Sequence, residues 1–458
     1  LGSNSMIVGF SQDSQFLMTA SSDATLRYYD LNTGNNPDSI LILGQESNLV
    51  TAAYSPSGRW LAVSGTNNDI WLFEHAEQGS NAEPITLRGH QAAITQLIFS
   101  PDENWLISAG QDNNVRVWNL STRPIQNISA QPVLLSGHTS PITALAVNPS
   151  SHWLASGSQD GQVLLWNLYL NQYAGQSINS TVQLPGHQEA ITVLDFSPTG
   201  RWLASGSTDN TVIMWDVFSP DPNTTPGSAI SLTGYRGDIN DLEFSPFGHW
   251  LVTASEDKSV RMWDMNVIDI PGQTPINLRG FRSAVTSVSI TPDRRWLIAT
   301  GNDKKVRLWN LAVEDIADEK PLVLRDQHGK VLSSMASGNS QRVATVDDRN
   351  TILVYDLSTI HEPLLGIFSW GSLRYILIPL AVFIAIIVAA SFYVQDIYNL
   401  PSFMDGFHYV RASMFGIGYP QLTIDNGKAI LRKGEMNLLK AVGGPGFVLI
   451  QPGNAAFF

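Results

Sequence analysis

The feature that most constrains this chain is a unit that recurs along it. The unit is clearest in residues 186–216, GHQEAITVLDFSPTGRWLASGSTDNTVIMWD. Three runs with strand character, ITVLDF, WLASGS and TVIMWD, are separated by a Ser-Pro-Thr-Gly turn and a Thr-Asp-Asn turn. Each run alternates apolar and polar residues or is rich in β-branched ones, as a buried or half-buried strand needs. Aligned on Trp215, the same position falls at Tyr29, Phe73, Trp118, Trp166, Trp263, Trp309 and Tyr355, spaced 44 to 49 residues apart. Self-similarity at that period marks a propeller or a solenoid array.

Other positions keep their offsets too. Three copies carry the same four residue types: His90, Ser108, Asp112 and Trp118; His138, Ser156, Asp160 and Trp166; His187, Ser205, Asp209 and Trp215. Four short strands per period, a Gly-His opening and a Trp-Asp closing resemble the WD-repeat β-propeller family, over roughly the first four-fifths of the chain. The resemblance implies an all-β fold. It also implies a buried relay in each blade, in which a Trp N–H, a hydroxyl, a His and an Asp bond to one another. A buried network is favourable only when every member is satisfied, so the four types travel together. His, Ser and Asp also make up a hydrolytic triad. A triad has no reason to occur three times in one chain, so the twelve residues read as structural and no catalytic residue is expected.

Some copies depart from the pattern. Tyr235 and Phe281 replace the His, Ala299 replaces the hydroxyl, and the second copy has Asn67 and Phe73. The eighth reads with an extra residue between Asp348 and Tyr355. These blades are expected to rely on apolar packing. Outer strands are expected at Ser39–Leu43, Pro84–Arg88, Pro132–Ser136, Thr181–Pro185, Ile230–Thr233, Pro275–Arg279, Pro321–Arg325 and Pro363–Ile367, which makes eight blades over residues 1–367. Closure would then rest on blade one packing against blade eight, or on strands supplied from upstream. An extra Trp opens the second strand in six copies, at Trp60, Trp105, Trp153, Trp202, Trp250 and Trp296, and reads as packing against a neighbouring blade.

In the family the loops entering the first strand and joining the second and third share one face. By position they carry Gln91, Thr139, Gln188, Arg236 and Arg282, and Gln111, Gln159, Thr208, Glu256 and Asn302. Charge gathers at Arg236, Asp238, Glu256 and Arg282, the candidate contacts for a protein partner.

A net charge of −13 argues against nucleic-acid binding. The absence of cysteine excludes disulfides, thiol catalysis and Cys-ligated metal; no cofactor or metal is expected. LGSNSMIVGF shows no signal-peptide pattern, and Leu1 falls at the His position of the first copy, which reads as a start within a repeat.

After a linker at 368–374, residues 375–394 (YILIPLAVFIAIIVAASFYV) carry no charge and read as a single transmembrane helix contacting the lipid bilayer. Trp370, Tyr375, Tyr393 and Tyr398 stand near its ends. Flanking basic residues do not set its orientation, and a cytoplasmic propeller is the expectation. The tail, 395–458, reads as hairpins, one around Asn426-Gly427 and one joining FVLI to AAFF. Its Gly-Gly-Pro-Gly and Pro-Gly-Asn runs faintly resemble the entry to stomatin/prohibitin-type domains. The expected function is a membrane-anchored protein-interaction scaffold without catalysis. The alternatives are the sensor propeller of a larger receptor or enzyme, and a membrane scaffold continuing into a stomatin-like domain.

Overall fold

The computed structural model describes residues 5–359 apart from 22–24, 33–37, 42–48, 75–83, 122–131, 169–180, 185, 218–228, 268–272, 314–315, 318 and 325–327. Beyond them it describes 370–397, 400, 402–404, 406–407, 410, 421–425, 428–430 and 447–450. The chain divides into two units, Leu1–Thr359 and Ile360–Phe458.

The first unit is built from eight antiparallel sheets in chain order, each laid out a-b-c-d from its first strand to its last. Seven have four strands, and blade eight has three among the described residues: Val331–Ala336, Arg342–Asp347 and Ile352–Asp356. The outer strand expected at 363–367 lies outside the described residues. Strand a of each blade lies beside strand a of the next, from blade one through blade eight, and strand a of blade eight lies beside that of blade one. The ring is therefore a closed eight-bladed propeller.

Local chemistry explains why the strands start where they do. At the a–b turns a Ser or Thr hydroxyl accepts the N–H of the residue opening strand b, as Ser55 does for Trp60, Ser197 for Trp202 and Thr291 for Trp296, at 2.9–3.0 Å. Gly58, Gly200 and Gly248 take positive φ (77°, 73° and 72°) in the same turns, a region open to glycine at little steric cost.

The core lies between blades. Trp60 of blade two packs with Phe99, Leu106 and Trp118 of blade three, and Trp202 of blade five with Phe244, Leu251 and Trp263 of blade six. The extra Trp of strand b thus covers the face of the following blade. Burying such a ring stabilises by about 1.5–3 kcal/mol.

Blade eight differs from its sequence reading. Val343 pairs with Tyr355 as Leu203 pairs with Trp215, so no residue is inserted and Arg349 stands where blade five has Asp209. Asp347, fully buried one position before Asp348, takes the N–H groups of Gly329, Arg349 and Thr351 instead.

The second unit holds a helix, α1, from Trp370 to Ile397. Its side chains are described from Ala381 to Asp396. The membrane span expected at 375–394 is not supported: among the described residues no helix is long and apolar enough to cross a membrane. After α1 the chain turns back at Leu400, whose N–H bonds the Gln395 carbonyl, and Phe403 packs on Phe392 at 4.6 Å between ring centroids. Gln421–Asp425 and Lys428–Ile430 pair antiparallel, and the Asn426-Gly427 turn expected between them lies outside the described residues. Phe447–Ile450 instead pairs parallel with Gln421–Asp425, and AAFF lies outside the described residues.

Candidate functional site

The four-residue set differs from blade to blade. In blade three it is continuous. Trp118 Nε1 donates to Ser108 Oγ at 3.0 Å, Ser108 Oγ lies 2.8 Å from His90 Nε2, and His90 Nδ1 lies 3.0 Å from Asp112 Oδ2. In blade four Trp166 and His138 both meet Ser156 Oγ, at 2.8 and 2.7 Å. There Asp160 takes the hydroxyls of Thr139 and Ser158 instead, and His138 Nδ1 is left without a partner. In blade five His187 bridges Ser205 and Asp209, at 2.6 and 2.9 Å. Trp215 Nε1 is left unbonded, its ring edge-on to His187. Ser108, Ser156 and Ser205 are fully buried, so none of these hydroxyls can meet a substrate.

Burial lowers all three histidines, His138 to about 4. They are neutral imidazoles at pH 7. Burial alone would raise Asp112, but the His90 bond, the Gln91 N–H and the Arg116 charge outweigh it and hold the carboxyl well below the usual carboxylate range.

Blade six corrects the expectation of apolar packing. The Tyr235 hydroxyl lies 2.7 Å from Thr253 Oγ1 and accepts Trp263 Nε1–H at 2.9 Å, so a phenol takes the place of the imidazole. Burial pushes Tyr235 up to about 12, so it stays a donor. Blade seven is the apolar case. Phe281 packs 6.2 Å from Trp309, whose Nε1 has no partner, and Ala299 is fully buried.

An ion pair four residues apart, missed in the sequence, accompanies these sites. Arg116 pairs with Asp112, Arg261 with Asp257 and Arg307 with Asp303, at 2.8, 3.3 and 2.6 Å. The guanidiniums of Arg261 and Arg307 stack on Tyr235 and Phe281 at 3.9 and 4.0 Å. The signal was present as Asp-x-x-x-Arg in those copies.

In blades three, five, six and seven the Asp of the b–c turn also holds the loop face. Its Oδ2 accepts a backbone N–H from the d–a loop: Gln91, Gln188, Arg236 and Arg282 donate to Asp112, Asp209, Asp257 and Asp303. Gln111, Gln159, Thr208, Glu256 and Asn302 donate their N–H to the carbonyls of Ala93, Pro141, Ala190, Asp238 and Ala284, at 2.8–3.0 Å. Arg236, Glu256 and Arg282 are exposed and Asp238 is half-buried on this clamped face.

The family described as IFT122 first beta-propeller matches residues 48–356, more than half of the chain, and the WD domain, G-beta repeat family matches residues 4–30. The chain belongs to the IFT122 first beta-propeller family of WD-repeat proteins. A computationally designed protein, Ika8, has a similar fold, with a TM-score of 0.59 and 22% identity over 78% of this chain and 97% of its own. At that identity the likeness shows the fold alone. No curated protein sequence matches the chain.

In this WD-repeat propeller the a strands are also the inner edges of their sheets, with backbone groups that no fifth strand covers. Side chains from the preceding blade meet them. Thr95, Thr143, Thr192 and Thr286 donate their hydroxyls to the carbonyls of Ile142, Ile191, Ile239 and Val331, and Asn240 donates to Val285. Carboxylates do the converse. Asp195 accepts the N–H of Phe244 and Asp241 that of Val288, both at 2.9 Å, and Glu243 accepts that of Ile290 at 3.4 Å. Burial raises all three acids, Asp195 to about 7, Asp241 to about 6 and Glu243 well above the usual carboxylate range; Asp195 and Glu243 also repel neighbouring carboxylates. Nothing in the strand sequences signalled this, because the partners lie a full repeat away.

Proposed function

We propose that the propeller is a protein-interaction scaffold without a catalytic site of its own, and that a partner docks on the loop face of blades six and seven. Arg236, Asp238, Glu256 and Arg282 carry the contact. The observation behind this reading is the clamped loop geometry: the backbone on either side of these side chains is held, so presenting them costs little ordering on binding. The equivalent positions of blades three to five carry Gln, Thr, Ala and Pro. The test is capture of a partner from lysate by the full chain. Replacing Arg236 and Arg282 together by Glu introduces repulsion and should cut capture severalfold, with the fold unchanged. The same change at Gln111 and Gln159 is the control, and equal loss in both variants would remove any special role for the patch.

A second proposal is that α1 anchors the scaffold in a membrane. It is supported by the exposure of Val382, Phe383, Ile384, Ile386, Phe392 and Tyr393, 41–67%, on a continuous 28-residue helix. Large apolar side chains left in water at that density mark a surface that meets lipid or protein. Ending the chain at Thr359 should release a propeller that stays in solution without detergent. Equal behaviour of both chains in buffer would sink the anchor.

A further inference from the structure

We propose that the loop face of blades six to eight is a basic crescent that takes a carboxylate-rich peptide segment. The inference rests on the docking reading above and names the chemistry of its partner.

These three blades expose Arg236, Arg279, Arg282 and Lys330 in their d–a loops and Lys258, Lys304, Lys305 and Arg349 in their b–c turns. The same two loops in blades three to five contain one Lys or Arg, Arg88, which lies 3.6 Å from Asp69 of blade two. A one-sided set of cations in a chain of net charge −13 is a local departure from the whole molecule's field. Arg261 and Arg307 are not part of this set, since they pair with Asp257 and Asp303 within their own blades.

The backbone gives an independent reason. Lys258 and Lys304 occupy the left-handed position of the b–c turn, at φ of 74° and 62°. Blades two, three, five and eight place Asn68, Asn113, Asn210 and Asn350 there, and blade four Gly161, the residues that tolerate that region best. On the opposite face, several side chains at left-handed positions have a visible structural return. Ser151 and Ser340 accept the N–H groups of Asp102 and Asp293 in the preceding blades, and Glu103 holds Ser57. Lys258 has no such return, its ammonium taking no partner among the described residues. Among the described residues Lys304 reaches only the His328 carbonyl, at 3.3 Å. Strain held without a structural return points to a bound group.

The arrangement favours a peptide over a uniformly anionic surface. Asp238, Glu256 and Asp348 stand among the cations and would repel a lipid surface or a phosphate backbone. A peptide with separated carboxylates can seat them on the cations and pass the acids between.

The experiment uses the full chain in neutral detergent and a fluorescein-labelled peptide of alternating Glu and Ser, read by anisotropy. The wild type should bind it, lose affinity as salt rises, and ignore the same peptide with Lys for Glu. Replacing Lys258 and Lys304 together by Asn should weaken binding about tenfold, as losing two exposed ion pairs implies. The melting temperature should hold or rise, because Asn accepts the φ more readily. Unchanged affinity in this variant overturns the proposal. So does a preference for phosphatidylserine vesicles over the peptide, which would make the crescent a lipid-facing surface. If capture depends on Arg236 and Arg282 while the glutamate peptide fails to bind, the docking face stands and its acidic partner falls. If the peptide binds as described while capture ignores those arginines, the docking reading falls instead.

Discussion

Position 235 holds a tyrosine where blades three to five hold histidine, and what is kept is a polar atom in reach of both Thr253 and Trp263. Replacing Tyr235 by Phe would leave a buried hydroxyl and an indole N–H without that partner. It should cost about 1–3 kcal/mol, seen as a lower urea midpoint with the m-value unchanged. The same change at Phe281 is unnecessary to make: that blade already has it, and its Trp309 N–H is already unpaired. The three buried histidines titrate in a definite direction. Their folded pKa values lie below the ordinary value of about 6.5, so the unfolded chain binds more protons in this range. Their contribution is present above about pH 6.5 and is lost as the pH falls toward the folded values, about 4 for His138. In proton NMR the His138 ring should titrate near pH 4; titration at its ordinary value would mean that the imidazole is solvated.

At the scale of the strand, the repeat was legible because its signals are local. Alternating side chains, Ser-Pro-x-Gly turns and Trp spacing are all written within a few residues of the bonds they make. The relay positions were legible as residue types but not as bonds, since whether Asp160 meets His138 or Thr139 depends on side-chain geometry. Least legible was the inner edge, where the partner of Asp195 is the N–H of Phe244 in the next blade. The tail failed for the same reason, its parallel pairing joining segments far apart in sequence. The inner-edge acids carry a prediction opposite in sign to that of the histidines. Their folded pKa values are raised, Asp195 to about 7 and Asp241 to about 6. The folded state therefore holds protons that the unfolded state releases near pH 4, and stability falls as the pH rises from there toward 7. Asp195→Asn keeps an acceptor for Phe244 N–H without the charge. It should stabilise the protein at pH 7.5 and change little at pH 4.5, measured by urea unfolding at both values. An equal effect at the two pH values would show that Asp195 is not protonated in the fold.

For the whole molecule the decisive question is how a ring made from one chain stays shut. Blade one is built entirely from strands at residues 5–41, and blade eight from strands at 331–356, so among the described residues no sheet is shared by the two ends. The seam uses the same latch as other blade boundaries: Ser14 Oγ of blade one accepts the N–H of Asn339 in blade eight, as Ser340 does for Asp293 and Ser151 for Asp102. It adds Arg342, whose guanidinium donates to the Ser14 and Leu31 carbonyls and to Asn32 Oδ1, at 2.9–3.5 Å. Because this contact closes a loop of more than three hundred residues, its loss opens the ring at one place and leaves the blades' own sheets intact. Arg342→Ala should therefore cost about 1–3 kcal/mol, with faster amide exchange in the strands of blades one and eight and unchanged exchange in blades three to five. Arg201, paired with Asp216 inside blade five and half exposed, is the matched comparison. Its replacement by Ala should cost no more than about 1 kcal/mol, the range of an exposed pair. If exchange after Arg342→Ala rises evenly through all the blades, the seam is no weaker than any other boundary, and closure rests on the ring as a whole.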